Sequence, residues 1–158
     1  MADRPPLYKQ ETPYSCGPAC LRMVAEHLGV RRDEESLRDL CDCGPISVLI
    51  RGLSDAVKLV NAARALGFSA AKHNMGFADL QSEVEGGAFP IVNVLSRLTD
   101  LGPNTEHAVV VVGITKDEVE VNDPWRGRYI YAKQDFIREW SATYGLTIVI
   151  RQEPRSSG

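Results

Sequence analysis

The feature that most limits how this chain can fold is a change of period between its two halves. Up to Gly86-Gly87 the apolar residues recur at helical spacing; beyond that point they alternate or run together in short stretches. Leu21, Val24, Ala25 and Leu28 mark one helix face, with Pro18 suited to a first helical position and Gly29 as the stop. Asp33 can cap a short second helix carrying Leu37, Leu40 and Cys41. Ser54 can cap a third, with Ala56, Leu59, Val60, Ala63 and Leu66 on one face and Gly67 ending it. A short fourth holds Phe77, Leu80 and Val84, and a weakly patterned strand closes at His73. In the second half, residues 90–96, 107–114, 118–122, 127–131 and 146–151 read as strands, interrupted by one helix near 134–140. Helices first and strands second predict an α+β fold with a mostly antiparallel sheet. Residues 107–112 are apolar on both faces, as in a covered central strand, whereas 118–122 alternate, as in a half-exposed neighbour.

A length of 158 residues is enough to bury a core without disulfides or metal. No repeat or low-complexity tract divides the chain, so residues 1–153 are expected to form one domain and 154–158 a flexible tail. Lys and Arg total 18 against 21 Asp and Glu, a net charge of −3 with no basic stripe, which argues against nucleic acid as a partner. The longest apolar run, 108–112, is far short of a membrane span, and the first residues lack the apolar core of a signal peptide. A cytoplasmic chain is expected, with its four cysteines as free thiols.

The segment Gln10-Glu11-Thr12-Pro13-Tyr14-Ser15-Cys16-Gly17-Pro18-Ala19-Cys20 puts Cys16 at the threshold of the first helix. Unpaired N–H groups and the helix dipole favour a thiolate there, and Gly17 and Ala19 leave room for a substrate backbone. The same sequence also fits a buried cysteine acting as a small hydrophobe. A nucleophile needs a base, and the chain has three histidines. His27 lies eleven residues along the same helix, about 16 Å away, and cannot reach Cys16. His73 fits a solvated surface position. His107 follows a loop and opens the covered strand, a junction where scaffolds present functional side chains, although a hydrogen-bonded strand end is an equal reading. Asp123, in Asn122-Asp123-Pro124, can orient the imidazole or simply make a turn. Gln10 offers a side-chain amide to an oxyanion. Trp125 fits either a cleft wall or the core, and Trp140 the core.

These segments, in this order, resemble the bacteriocin-processing cysteine peptidases, the papain-like leader-peptidase domains that cut after a double glycine. The likeness rests on Gln10 to Leu21, on His107-Ala108-Val109-Val110-Val111-Val112-Gly113-Ile114, and on Asn122-Asp123-Pro124-Trp125-Arg126-Gly127. It implies a papain-like fold, with Cys16 as nucleophile, His107 as base, Asp123 as its orienter and Gln10 in the oxyanion hole. It further implies a peptide or protein substrate with small residues such as Gly-Gly before the scissile bond, Gly17 and Trp125 beside the substrate, and no metal or organic cofactor. Nothing membrane-spanning follows the resemblance, so a free-standing member is expected. A cysteine-dependent acyl or amide transferase would keep the same residues. A non-catalytic peptide-binding module is a third reading, against which the presence of Cys16 counts.

Two further expectations concern the remaining residues. Cys16, Cys20, Cys41 and Cys43 could be zinc ligands, but Cys41-Asp42-Cys43 is spaced too tightly for the familiar pairs. The charges from Arg31 to Glu35 read as a solvated helix start. Finally, a two-residue turn at Lys116-Asp117 would put His107 and Asp123 on opposite faces. An odd-length connection or a bulge, setting Asp123 opposite Val109, is therefore predicted.

Overall fold

The computed structural model describes residues 3–43, 53–96 and 105–153. Three helices come first: α1 (Cys16–His27), α2 (Glu34–Leu40) and α3 (Leu53–Ala65). Strand β1 (Phe68–Asn74) and helix α4 (Phe77–Glu85) follow, then β2 (Ile91–Ser96), β3 (Thr105–Ile114), β4 (Glu118–Asp123) and β5 (Gly127–Ala132). Helix α5 (Lys133–Ser141) and β6 (Leu146–Gln152) complete the order.

The six strands make one antiparallel sheet in the order β1-β6-β2-β3-β4-β5. Alternation along the strands sends side chains to both faces, and helices cover both. On one face Ala108, Val110, Val112, Ile91 and Ile148 pack against α1, α2 and α3 through Leu21, Val24, Leu37 and Leu59. On the other, Val92, Val94, Val109, Val111, Val119 and Val121 pack with Leu80 of α4 and Phe136 and Trp140 of α5. The run of valines in β3 is thus explained by its central place between two helical layers.

Helix α1 begins at Cys16, so Pro18 is its third residue and not its first. A proline is tolerated there because the first four N–H groups of a helix have no intrahelical partner. Asp33 caps α2 as expected, its carboxylate accepting from Ser36 N–H at 2.8 Å. Helix α3 already includes Ser54; the side chain expected to cap it, the residues of the loop before β3 up to 104, and the tail 154–158 lie outside the described residues. Strand β1 is longer than its weak pattern suggested. It is an edge strand with most of its side chains in solvent, so burial imposes little alternation on it.

The β3–β4 hairpin carries the register on which the site depends. Thr115 N–H bonds to Glu118 O at 2.9 Å, closing a two-residue turn at Lys116-Asp117. Beside the turn Ile114 pairs with Val119 and Gly113 with Glu120; past a bulge at Val112, Val111 pairs with Val121 and Val110 with Asn122. The next step of that register sets Asp123 opposite Val109, so the bulge puts Asp123 on the face that carries His107. Of the two alternatives expected, the structure has the bulge; the connection itself is the two-residue turn.

Candidate active site

Cys16, Gly17 and His107 line one cleft, together with Tyr14, Cys43 and Asn93. Cys16 stands at the N-terminus of α1, where no side chain caps the helix and no acidic residue occupies the first turn. Ser15 occupies the N-cap position, but its hydroxyl is engaged elsewhere, by Thr12 Oγ1 at 2.7 Å and Glu34 Oε2 at 3.2 Å. The positive end of the helix dipole is therefore left for the thiol sulfur, or for an oxyanion formed beside it.

His107 is 1% exposed and Asp123 is fully buried. Nε2 of His107 lies 2.6 Å from Asp123 Oδ1. The other ring nitrogen, Nδ1, is buried without a nitrogen or oxygen partner, and the Cys16 thiol acts on the imidazole as a hydrogen-bonding and negative neighbour. Burial works against the imidazolium, but the bonds and charges of Asp123 and Cys16 outweigh it and push His107 up to about 9. Burial likewise works against the Asp123 carboxylate. The bond and charge of His107, then Arg126, then the Trp125 N–H, hold it well below the usual carboxylate range.

Asp123 is held by more than the imidazole. Its Oδ1 also accepts from the backbone N–H groups of Trp125 at 2.8 Å and Arg126 at 3.2 Å, and its Oδ2 from Arg126 Nε at 2.6 Å. The Asp123 carboxylate thus closes the Asn-Asp-Pro turn and bonds the imidazole at once. Gln10 is tied to this turn, its N–H bonding to Pro124 O at 2.8 Å. The Gln10 Nε2 donates to Thr12 O at 2.7 Å, and its Oε1 is buried without a partner.

Of the residues singled out in the sequence, Cys16, Gly17, His107 and Asp123 come together at this place. Gln10 and Trp125 are both half-buried, and neither is among the described residues that line the cleft. His73 is exposed and His27 packs edge-on against Phe89 at 4.8 Å. None of the four cysteines is in a disulfide. Cys20 is in the core, where burial and then Cys16 and Asp123 push its thiol well up; burial and then Cys43 push Cys41 up to about 12. Cys43 is half-buried at the cleft, its thiol 3.4 Å from Tyr14 O.

Sequence reasoning passed over two residues. Arg126 was given no role of its own. Glu34 was taken for part of a solvated helix start, and that reading is corrected: it is 1% exposed. It accepts from Glu11 N–H at 2.9 Å and from the Ser15 hydroxyl, and pairs with Arg38. Glu34 thus fastens the segment ahead of Cys16 to α2. The signal was its spacing of four from Arg38, a partner for a buried carboxylate.

Among the described residues, no helix is long and apolar enough to cross a membrane. No curated protein sequence matches the chain. Several solved structures do. The peptidase domain of Streptococcus ComA, a bi-functional ABC transporter involved in a quorum-sensing pathway, superposes with a TM-score of 0.73 at 25% identity, covering 93% of this chain and 98% of that one. A double glycine motif protease from an AMS/PCAT transporter, solved with its leader peptide, gives 0.72 at 21% identity, covering 96% and 94%. A C39-like peptidase from Bacillus anthracis gives 0.77 at 16% identity, covering 98% of each chain. The fold is therefore papain-like, as in these peptidase domains. With residues 4–154 matching the family model, nearly all of the described chain, this protein belongs to the peptidase C39 family of cysteine peptidases.

Proposed function

We propose that the chain hydrolyses peptide bonds through an acyl-enzyme on Cys16, with His107 as acid and base and Asp123 as its orienter. The observation that carries this reading is the division of labour at the imidazole. Nε2 is committed to Asp123 at 2.6 Å, which leaves buried Nδ1 for the thiol. The Cys16 thiolate attacks the carbonyl carbon, and the oxygen takes up the electron pair. The imidazolium Nδ1–H then passes its proton to the leaving amine as the C–N bond breaks. Water attacks the resulting thioester, giving its proton back to Nδ1, and the thiolate departs. The second hydrogen on Gln10 Nε2, the one not taken by Thr12, is the proposed side-chain donor to the oxyanion, acting with the Cys16 N–H.

The proposal extends to small residues such as Gly-Gly before the scissile bond. The protease solved with its leader peptide takes its name from a double glycine motif, which supports a substrate of that kind here. Residues 1–153 are read as one domain that acts without metal or organic cofactor.

Incubation of wild type and Cys16→Ala with a peptide library, read by mass spectrometry, tests the function. Products should appear with wild type only, and with small residues at their new C-termini. Adding amine nucleophiles should not divert the acyl group into amides; if transfer products dominate, the reading as a hydrolase fails.

A further inference from the structure

Arg126 stands on the far side of Asp123 from His107. Its Nε donates to Oδ2 at 2.6 Å, while Oδ1 takes the imidazole Nε2 at the same distance. One buried carboxylate thus serves two cations, one on each oxygen. Arg126 is itself fixed from behind. Its Nη2 donates to the Tyr131 hydroxyl at 2.8 Å, and that hydroxyl donates to Glu139 Oε1 at 3.0 Å. Its guanidinium lies 3.8 Å over the Tyr129 ring. Tyr131 is 2% exposed and Glu139 6%, so strand β5 and helix α5 hold this guanidinium from within the core. The planar fork lets Nε and Nη2 meet two different acceptors, while the positive charge beside Asp123 is what acts on the imidazole pair.

We infer that Arg126 is a positioning residue for the His107–Asp123 pair: it keeps Oδ1 turned to the imidazole and, by sharing the carboxylate's charge, limits how tightly Asp123 holds the proton on His107. The inference rests on the reading of His107 as the acid and base. Other charged or titratable groups surround the imidazole. Cys16 and Cys20 approach from α1 and Asp123 from β4; Glu106 is its neighbour on β3, and Asp55 and Lys58 of α3 line the cleft with Cys41 and Cys43. Tyr131 and Glu139 lie behind Arg126. None of these is a cation in contact with Asp123. Without Arg126 the whole negative charge of Asp123 would act on His107. The imidazole would then keep its proton to higher pH and become a poorer base for the water that releases the acyl group.

The test uses the full chain and needs no peptide substrate. The rate of Cys16 carbamidomethylation by iodoacetamide is followed by mass spectrometry from mildly acidic to strongly alkaline pH. The first rise reports thiolate formation. The second reports proton loss from His107, since a thiolate beside a neutral imidazole is the stronger nucleophile. In Arg126→Gln, which keeps an N–H donor but loses the charge, the second step should move up by about one pH unit. Arg126→Lys restores the charge and should bring the step back to its wild-type position. An unmoved or lowered step in Arg126→Gln, or a step in Arg126→Lys matching that of Arg126→Gln, overturns the inference. Should Arg126→Gln melt below the assay temperature, Tyr131→Phe carries the test. Losing the hydroxyl frees Arg126 to turn towards Glu139, so the step should rise by a smaller amount, and no rise overturns the inference. His107→Ala separates the two claims. If it leaves the second step in place, the reading of His107 is wrong; if it abolishes a step that the Arg126 variants do not move, only the role of Arg126 is wrong.

Discussion

His107 Nε2 meets Asp123 Oδ1 at 2.6 Å across a hairpin that a regular ladder would have kept apart. The two-residue turn alone would put Asp123 opposite Val110, with its side chain on the face away from His107. The extra residue at Val112 moves the pairing by one, and Asp123 then falls diagonal to His107, within reach of a hydrogen bond. The same shift keeps Val119 and Val121 buried beside Val109 and Val111. Packing and chemistry thus select the same register, and a slip would cost the core as well as the pair.

Cys16 should be the cysteine that iodoacetamide finds first at mildly acidic pH. Cys20 is fully buried with its thiol pushed well up, and Cys41 is pushed up to about 12. Cys43, half-buried at the cleft with its thiol 3.4 Å from the carbonyl oxygen of Tyr14, is the competitor for reagent. Peptide mapping after brief labelling checks this. Cys43 modified as fast as Cys16 would remove the basis for an ion-paired thiolate.

Gln10→Ala and His107→Ala should fail in different ways. An oxyanion donor acts on charge that develops on the substrate, so Gln10→Ala should lower turnover by about 100-fold while leaving Cys16 alkylation unchanged. His107→Ala removes the acid and base together with the thiolate's partner. It should lose about 100-fold to 10,000-fold in turnover and slow alkylation at mildly acidic pH as well. Paired cleavage and alkylation rates for each variant distinguish the two patterns.

What could be read from the sequence divides along physical lines. Helices α1 to α5 declared themselves because burial on one face imposes a period. The need for an odd-length connection or a bulge followed from asking His107 and Asp123 to share a face. Its position did not, because Val109 to Val112 are four identical residues and nothing marks the one that bulges. Edge strand β1 was faint for want of burial. Glu34 was misread because a charged residue at a helix start is ordinarily solvated. Here three donors, Glu11 N–H, the Ser15 hydroxyl and Arg38, replace the water. Arg126 was passed over because a lone arginine after a turn has no pattern until Tyr131 and Glu139 are brought behind it.

Glu34→Ala should destabilise the fold by about 2 kcal/mol, because the Glu11 N–H and the Ser15 hydroxyl lose a buried acceptor while Arg38 keeps only Glu11. Glu34→Gln keeps an acceptor for Glu11 and should cost less. Denaturant melts of both variants check the order. Equal, small losses would mean that the segment before Cys16 is held by Thr12 and Ser15 alone.

The buried pair also fixes how stability varies with pH. The raised His107 holds a proton in the folded state, up to about 9, that the unfolded chain releases near 6.5. Its contribution is therefore fully present below 6.5 and lost as pH rises through about 9. Asp123 has the opposite sign. Its lowered value means a contribution present above the ordinary 3.8 and lost as pH falls through the folded-state value below that. Both contributions are complete only between about 4 and 6.5. Asp123→Asn abolishes both, because it removes the charge that holds the proton on His107. Its deficit in melting temperature relative to wild type should be largest in that window, shrink as pH rises from 6.5 to about 9, and level off above that. Calorimetric melts of the two proteins at matched ionic strength measure it. A deficit that stays constant from neutral to alkaline pH would mean that the His107–Asp123 contact stabilises the fold as a neutral hydrogen bond, with no proton held in excess of the unfolded chain.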